Sequence, residues 1–201
     1  MLAMILAAVS IGARPVELVK PGEEAAYAAW LEGKARTAIS TNAGKDCSTA
    51  TLSAPQGRPP SPTDLVRQAL PNAYAYYEMF AVAGCGPAEA QQILVLRQGD
   101  GWRAIALAPG LTVASLVLQR DLMQTVVGAV AAQVKMKGAN CPSDAFAKSF
   151  RISDTRLTGP FVPGQPWIER WTARVCDVDY PVDLSLKPAA DGGTDFSAHI
   201  P

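Results

Sequence analysis

The chain has 201 residues, of which 49% are apolar, so it can bury a core as one domain or as two small ones. Its 18 basic and 18 acidic side chains give a formal net charge of zero. Nucleic acids and anionic lipid surfaces attract clustered positive charge, so this balance argues against both as partners.

The N-terminal segment has the pattern of a secretory signal peptide. An apolar run over residues 2–11 is followed by the small residues Gly12 and Ala13, which suits a signal peptide and its cleavage site better than a membrane span. No Lys or Arg precedes the run, so a buried N-terminal strand or helix is the alternative. We predict a signal peptide over residues 1–15, and a mature chain without a membrane span that is periplasmic or secreted.

The first half of the mature chain predicts one helix and then strands. After Pro21-Gly22, apolar residues recur at the three-and-four spacing of a buried helix face: Tyr27, Trp30, Leu31, Ala35 and Ala38. Gly44 is expected to end this helix. A proline-rich loop is predicted over residues 55–62. Three strands are then expected over residues 77–82, 93–96 and 102–107.

The second half predicts the same order of elements. After Pro109-Gly110, a helical stripe comprises Leu118, Leu122, Val126, Ala129, Val130 and Gln133, and Gly138 is the expected stop. Residues 150–155 alternate like a strand where the first half has its loop. The last strands are expected over residues 167–175, 182–186 and 194–200.

A cysteine-centred pattern also occurs twice. Glu78 stands seven residues before Cys85, and Glu169 stands seven residues before Cys176, so both members of the pattern are displaced by 91 residues. Such internal similarity indicates a repeated structural unit. We predict an α+β fold of two pseudo-repeats, each one helix followed by about three antiparallel strands. The units span residues 16–108 and 109–201 and pack together as one compact body.

Four cysteines permit three disulfide connectivities. If both units have the same geometry, the pairs are Cys47–Cys85 and Cys141–Cys176, with separations of 38 and 35 residues. Loops of this size stabilise a fold by about 3 to 4 kcal/mol each in the chain-entropy model. Four reduced, buried thiols in a cytosolic protein are the alternative reading.

Glu78 and Glu169 are the ionisable pair of most interest. On a strand, each lies on the same face as the aromatic residue two positions later, Phe80 or Trp171, and that face is expected to be apolar. Two such carboxylates could form an acid/base dyad if they approached each other. Alternatively, each carboxylate anchors its own strand through local hydrogen bonds.

Aromatic residues could line a ligand cleft between the units, because small-molecule sites favour such junctions. The expected ligand contacts are Glu78, Glu169, Tyr74, Tyr76 and Trp171. The cluster Tyr74-Ala75-Tyr76-Tyr77 is expected to be partly exposed, since successive side chains on a strand face opposite ways. Burial in a core is the alternative for each aromatic residue.

Common catalytic signatures are missing from the sequence. His199 is the single histidine and stands next to the C-terminus, a poor place to hold a catalytic imidazole. One histidine and four separated cysteines do not give the usual zinc-ligand spacings. Phosphate-loop, dinucleotide-binding and nucleophile-elbow patterns are also missing. We therefore predict no catalytic residue, no metal and no cofactor.

Two stretches resemble short exported bacterial proteins of uncharacterised family. One is Pro166-Trp167-Ile168-Glu169-Arg170-Trp171 with Cys176, and the other is Pro109-Gly110-Leu111-Thr112 with Leu118-Gln119-Arg120-Asp121. Asp177 follows the cysteine where such proteins often have glycine. The resemblance implies export and disulfide bonds, and it implies no known reaction.

These observations predict an exported, non-catalytic envelope or periplasmic module. It would bind a protein partner or a small ligand at the junction of its two units. One alternative is a hydrolase with an unrecognised carboxylate site at Glu78 and Glu169. Another is a module that assembles into homo-oligomers through exposed strand edges or an apolar patch.

Overall fold

The structure is a computed structural model that describes residues 14–60, 73–190 and 192–201. Residues 1–13 of the predicted signal peptide, and residues 61–62 of the predicted loop, lie outside the described residues. Within the described part, three helices and two antiparallel sheets form an α+β fold.

Among the described residues, the first half contains one helix and five strands. These are α1 (Glu24–Ala43), β1 (Thr51–Leu52), β2 (Gln56–Arg58), β3 (Tyr74–Ala83), β4 (Ala90–Gln98) and β5 (Gly101–Ala106). The second half contains two helices and four strands. These are α2 (Leu116–Met136), α3 (Ser143–Ser149), β6 (Arg151–Leu157), β7 (Trp167–Val175), β8 (Val178–Pro188) and β9 (Thr194–His199).

Both long helices end at the predicted glycines. Gly44 has φ +66°, and the backbone N–H of Lys45 donates to the carbonyl of Ser40 at 3.2 Å. Gly138 has φ +58°, and the N–H of Ala139 donates to the carbonyl of Val134 at 3.1 Å. A left-handed glycine satisfies the last helical carbonyls in this way at little steric cost.

The first sheet has the order β1-β3-β4-β5, and β2 also pairs with β3. Strand β2 lies inside the segment that the sequence predicts to be a loop, so that prediction is wrong there. Gln56, Gly57 and Arg58 pair with Met79, Glu78 and Tyr77. The prolines at 55, 59 and 60 flank these residues, and a proline interrupts a sheet only where its missing N–H is needed.

The second sheet has the order β6-β7-β8-β9. The predicted strand over residues 150–155 is confirmed as β6. Its register against β7 shifts between Ile152 and Asp154, so Ser153 is the extra residue of a β-bulge. Helix α3, which precedes β6, was not predicted, and none of its residues is buried. A short helix without a buried face leaves no apolar periodicity in the sequence.

Two cores lie between a helix and a sheet. One contains the buried face of α1 (Tyr27, Leu31, Ala35, Ala38 and Ile39) packed on the first sheet. The other contains the buried face of α2 (Gln119, Leu122, Val126, Val130 and Val134) packed on the second sheet. The stripe predicted for α1 is buried apart from Trp30. Of the stripe predicted for α2, Leu122, Val126 and Val130 are buried, whereas Leu118, Ala129 and Gln133 are half-buried.

A third apolar cluster covers the opposite face of the first sheet. It contains Ala75, Tyr77, Leu94, Leu96 and Leu107. The expected exposure of the tyrosine cluster is therefore wrong for Tyr76 and Tyr77, which are 6% and 3% exposed, whereas Tyr74 is half-buried. Tyr76 packs toward α1 while Tyr77 packs toward the third cluster, and β3 is covered on both faces.

The disulfides join the predicted pairs. Cys47 is bonded to Cys85, with Cα atoms 5.7 Å apart, and Cys141 is bonded to Cys176, with Cα atoms 6.0 Å apart. Each bridge ties the chain after a long helix to the end of β3 or β7. Such bridges are typical of proteins from oxidising, extracytoplasmic compartments. Among the described helices, none is both long and apolar enough to cross a membrane.

Candidate functional site

The segment that connects the two halves, residues 107–114, is bonded to both of them. Toward the first half, the N–H of Gly110 donates to the carbonyl of Ala90 at 2.7 Å. Toward the second half, the N–H of Leu111 donates to the carbonyl of Thr155 at 2.7 Å, and the Thr155 hydroxyl donates to the carbonyl of Pro109 at 2.7 Å. This connecting segment therefore holds the two sheets in a defined arrangement.

Gly110 is a glycine for two reasons. Its φ of +95° lies in the region that side chains disfavour, and a Cβ atom there would collide with the backbone of Thr155 and approach the carboxylate of Asp154 to 2.7 Å. The close approach of two backbones at this position leaves no room for a side chain.

The carboxylate of Glu169 anchors the connecting segment to β7. Glu169 is fully buried, and its oxygens accept four hydrogen bonds. Thr112 Oγ1 donates at 2.6 Å, the backbone N–H of Val113 at 3.1 Å, and the indole N–H groups of Trp167 and Trp171 at 3.1 and 2.8 Å. All four donors are uncharged, so a buried anion is held here by dipoles and hydrogen bonds.

Glu78 is also fully buried but has a cationic partner. The guanidinium of Arg14 donates to both of its oxygens at 2.7 Å, and the hydroxyl of Tyr27 donates to Oε1 at 2.8 Å. Burial raises the pKa of Tyr27 well above its usual range, and the neighbouring Glu78 charge adds to that rise. Tyr27 therefore remains a neutral hydrogen-bond donor to this ion pair.

Four of the five residues expected to contact a ligand are buried. Glu78, Glu169 and Trp171 are 0% exposed, Tyr76 is 6% exposed, and Tyr74 is half-buried. Each carboxylate is bonded within its own surroundings, and neither lines the cleft between the halves. This geometry favours the anchoring interpretation of both glutamates. Ligand contact at these five residues stays a prediction, and nothing in their positions favours the hydrolase alternative.

A cleft of about 370 Å³ lies at the junction of the two halves, and we call it the junction cleft. Its walls come from β2, β3, β4, the connecting segment and β6. The lining residues are Gln56, Gly57, Arg58, Tyr77, Met79, Gln92, Leu111, Thr112, Val113 and Leu157. Its volume lies in the range of roughly 300 to 1,000 Å³ that is usual for small-molecule sites.

The floor of the junction cleft is held rigidly. The side-chain amide of Gln92 donates to the carbonyl of Thr112 at 3.0 Å, while the hydroxyl of Thr112 donates to Glu169. Glu169 therefore supports the cleft from behind without entering it. The neighbouring Gln91 is 0% exposed and donates to the carbonyl of Leu107 at 3.0 Å, which fixes the start of the connecting segment.

Arg58 is the one formally charged side chain among the described residues that line the junction cleft. Its guanidinium carbon lies 4.6 Å from the centre of the Tyr77 ring, a cation–π geometry. Because Tyr77 is only 3% exposed and belongs to the third apolar cluster, its ring is a rigid support for the guanidinium. Met79, Leu111, Val113 and Leu157 provide apolar wall around it.

A smaller cavity of about 110 Å³ lies on the other side of Leu111. Asp154 lines it, and burial raises the pKa of that carboxyl above its usual value, although the guanidinium of Arg156 lies 2.9 Å away and opposes the rise. The β-bulge at Ser153 places Asp154 here.

The described residues contain no group of three or more His, Cys, Asp or Glu side chains arranged to hold a metal ion. His199 lies exposed on β9, the edge strand of the second sheet.

Sequence reasoning pointed to Tyr77 as one of the aromatic residues that could line a cleft, but it missed the other residues of the junction cleft. Arg58 stood in a segment predicted to be a loop, and Gln92 and Thr112 carry no motif. One signal was present, because Gln91 and Gln92 are consecutive polar residues at the start of the apolar strand predicted over 93–96. Buried amides of this kind indicate specific hydrogen-bond partners.

No protein-family model, curated protein or solved structure matches the chain.

Proposed function

We propose that this protein is a non-catalytic binding module that holds a small amphipathic organic anion in the junction cleft. The observation that carries this proposal is the composition of that cleft. Among the described residues that line it, Arg58 is the one cation, and it is supported on the Tyr77 ring beside apolar side chains. A carboxylate on an aliphatic or aromatic body is complementary to both features. A protein or peptide partner is less well matched, since the cleft has the volume of a small-molecule site.

The proposal includes export to the bacterial periplasm or outside the cell. The two disulfides and the signal-like N-terminal sequence support this location. A periplasmic module that binds a small anion needs no catalytic group, which agrees with the saturated hydrogen bonding of Glu78 and Glu169.

We also propose that the two halves are copies of one ancestral unit. Each has a long helix that ends at a left-handed glycine, a disulfide that begins three residues after that glycine, and a three-stranded meander. In both, a glutamate on the first meander strand is fully buried. Superposition of α1-β3-β4-β5 on α2-β7-β8-β9 tests this idea. A mismatch in the side of the sheet on which the helix packs would overturn it.

The binding proposal is tested with two probes of equal chain length, octanoate and octan-1-ol. Calorimetric titration and thermal unfolding measure binding, because a ligand that binds only the folded state raises the unfolding temperature. We expect octanoate to bind and octanol to bind more weakly. Arg58→Gln should weaken octanoate binding about tenfold or more, since a hydrogen bond to a charged group contributes about 1.5 to 3 kcal/mol. It should leave octanol binding unchanged.

The matched control is Arg103→Gln, which removes an exposed arginine from β5 outside the junction cleft. This variant should bind octanoate like the unchanged protein. Equal binding of both probes, or an equal loss in the Arg58 and Arg103 variants, would overturn the assignment of Arg58. Failure of both probes to bind would overturn the junction cleft as a site for this class of ligand.

A further inference from the structure

Arg14 belongs to the folded body of the protein although it lies within residues 1–15, the predicted signal peptide. Its side chain is 6% exposed. It donates two hydrogen bonds to Glu78 and one, at 2.9 Å, to the carbonyl of Pro55. Its guanidinium carbon also lies 5.8 Å from the centre of the Tyr76 ring.

Strand β2 covers this ion pair. A Cβ atom at Gly57 would collide with the Tyr76 ring, and it would lie 2.9 Å from Oε2 of Glu78 and 3.1 Å from the guanidinium carbon of Arg14. The glycine therefore lets β2 pass directly over the buried charges. A chain that lacked Arg14 would retain the fully buried Glu78 carboxylate without its cation, which is among the most destabilising changes inside a protein.

The local sequence also places proteolytic processing on the N-terminal side of Arg14, so that the mature chain keeps this residue. Secretory cleavage sites require small residues, usually one immediately before the cut and one two positions earlier. Ser10 and Gly12 form such a pair for a cut after Gly12. For a cut after Ala13, Ala13 itself is small but the residue two positions earlier is Ile11, so this bond meets only the first of the two preferences. A cut after Arg14 would place a long cationic side chain next to the broken bond, which this requirement excludes.

We infer that the exported protein is processed at Gly12–Ala13 or Ala13–Arg14, and that the mature chain keeps Arg14 as the counter-ion of Glu78. A signal peptidase would hydrolyse this one peptide bond. One water molecule is consumed, the residue before the cut gains a carboxylate, and the residue after it gains an ammonium group. The boundary then lies two or three residues before the predicted residue 15. This inference rests on the proposed export and is independent of the ligand proposed for the junction cleft.

The first test is the mass and N-terminal sequence of the protein. The full chain is expressed with its own N-terminus in an export-competent bacterium, and the periplasmic fraction is analysed. A mature chain that begins at Ala13 or Arg14 is expected. A chain that begins at Pro15, Val16 or later, an exported chain that retains Met1, or a chain confined to the cytoplasm would overturn the inference.

A second test separates processing from folding. Gly12→Leu with Ala13→Leu should block hydrolysis and leave a heavier, uncleaved protein in the membrane fraction. The control is Lys20→Ala, which removes an exposed ion pair to Asp100 and should leave processing and the urea midpoint unchanged. Normal cleavage of the double leucine variant would contradict the assigned bonds.

A third test concerns Arg14 itself. Arg14→Ala should lower the folding equilibrium constant roughly a hundredfold or more, seen as a lower urea midpoint or as loss of exported protein. Because the deficit comes from the unpaired Glu78 charge, adding Glu78→Gln should recover much of it. Effects of the two substitutions that simply add would show that Arg14 and Glu78 are not coupled, and would remove the reason for keeping Arg14.

Discussion

Glu169→Gln tests whether the four hydrogen bonds to the Glu169 carboxylate stabilise the fold. The substitution keeps the shape of the side chain but replaces one acceptor oxygen by an NH₂ group. At the Oε1 position this group would face the N–H groups of Val113 and Trp167, and at the Oε2 position it would face the N–H of Trp171. Either orientation leaves at least one N–H without an acceptor, buried at Trp171 or partly buried at Val113 and Trp167.

A buried donor without a partner costs about 1 to 3 kcal/mol, so we expect Glu169→Gln to reduce the free energy of unfolding by about 2 kcal/mol. The opposing effect is relief of the cost of burying a charge, which would make the variant more stable. With four hydrogen bonds to one carboxylate, we expect the loss of hydrogen bonding to dominate.

Urea unfolding followed by far-UV circular dichroism measures this difference by linear extrapolation. Glu17→Gln, at an exposed position, is the matched control and should change stability by less than about 0.5 kcal/mol. A Glu169→Gln variant as stable as this control, or more stable than the unchanged protein, would refute the reasoning. The variant should also weaken octanoate binding, because Glu169 supports Thr112 and Val113 in the cleft floor.

Two other predictions concern stability. Replacing Cys47 and Cys85 together by Ala opens a loop with a separation of 38 residues and should cost about 4 kcal/mol in the chain-entropy model; a loss below about 1 kcal/mol in urea unfolding would contradict that account. The hydrogen bonds from Arg97 lower the pKa of Glu23 from 4.5 to about 2. The folded-state pKa lies below the unfolded one, so this pair stabilises the fold above pH 4.5 and its contribution is lost as the pH falls toward 2. The stability difference between the unchanged protein and Glu23→Gln should therefore shrink over that interval, and a pH-independent difference would exclude this linkage.

Local features were predictable from the sequence because they depend on neighbouring residues. The three-and-four spacing that begins at Tyr27 indicated the buried face of α1, since the period of a helix is set by its own backbone. Gly44 and Gly138 marked the helix ends for the same reason. The disulfide pairs followed from a pattern that occurs twice with a fixed separation between its members.

The junction cleft depends on tertiary structure alone. Arg58, Tyr77, Gln92, Thr112 and Leu157 are far apart in the sequence, and only the packing of the connecting segment between the sheets brings them to one cavity. The partners of the two buried glutamates are also non-local: Arg14 is 64 residues from Glu78, and Thr112 is 57 residues from Glu169. A sequence pattern indicates that a carboxylate will be buried, whereas the group that compensates its charge is chosen by contacts across the fold.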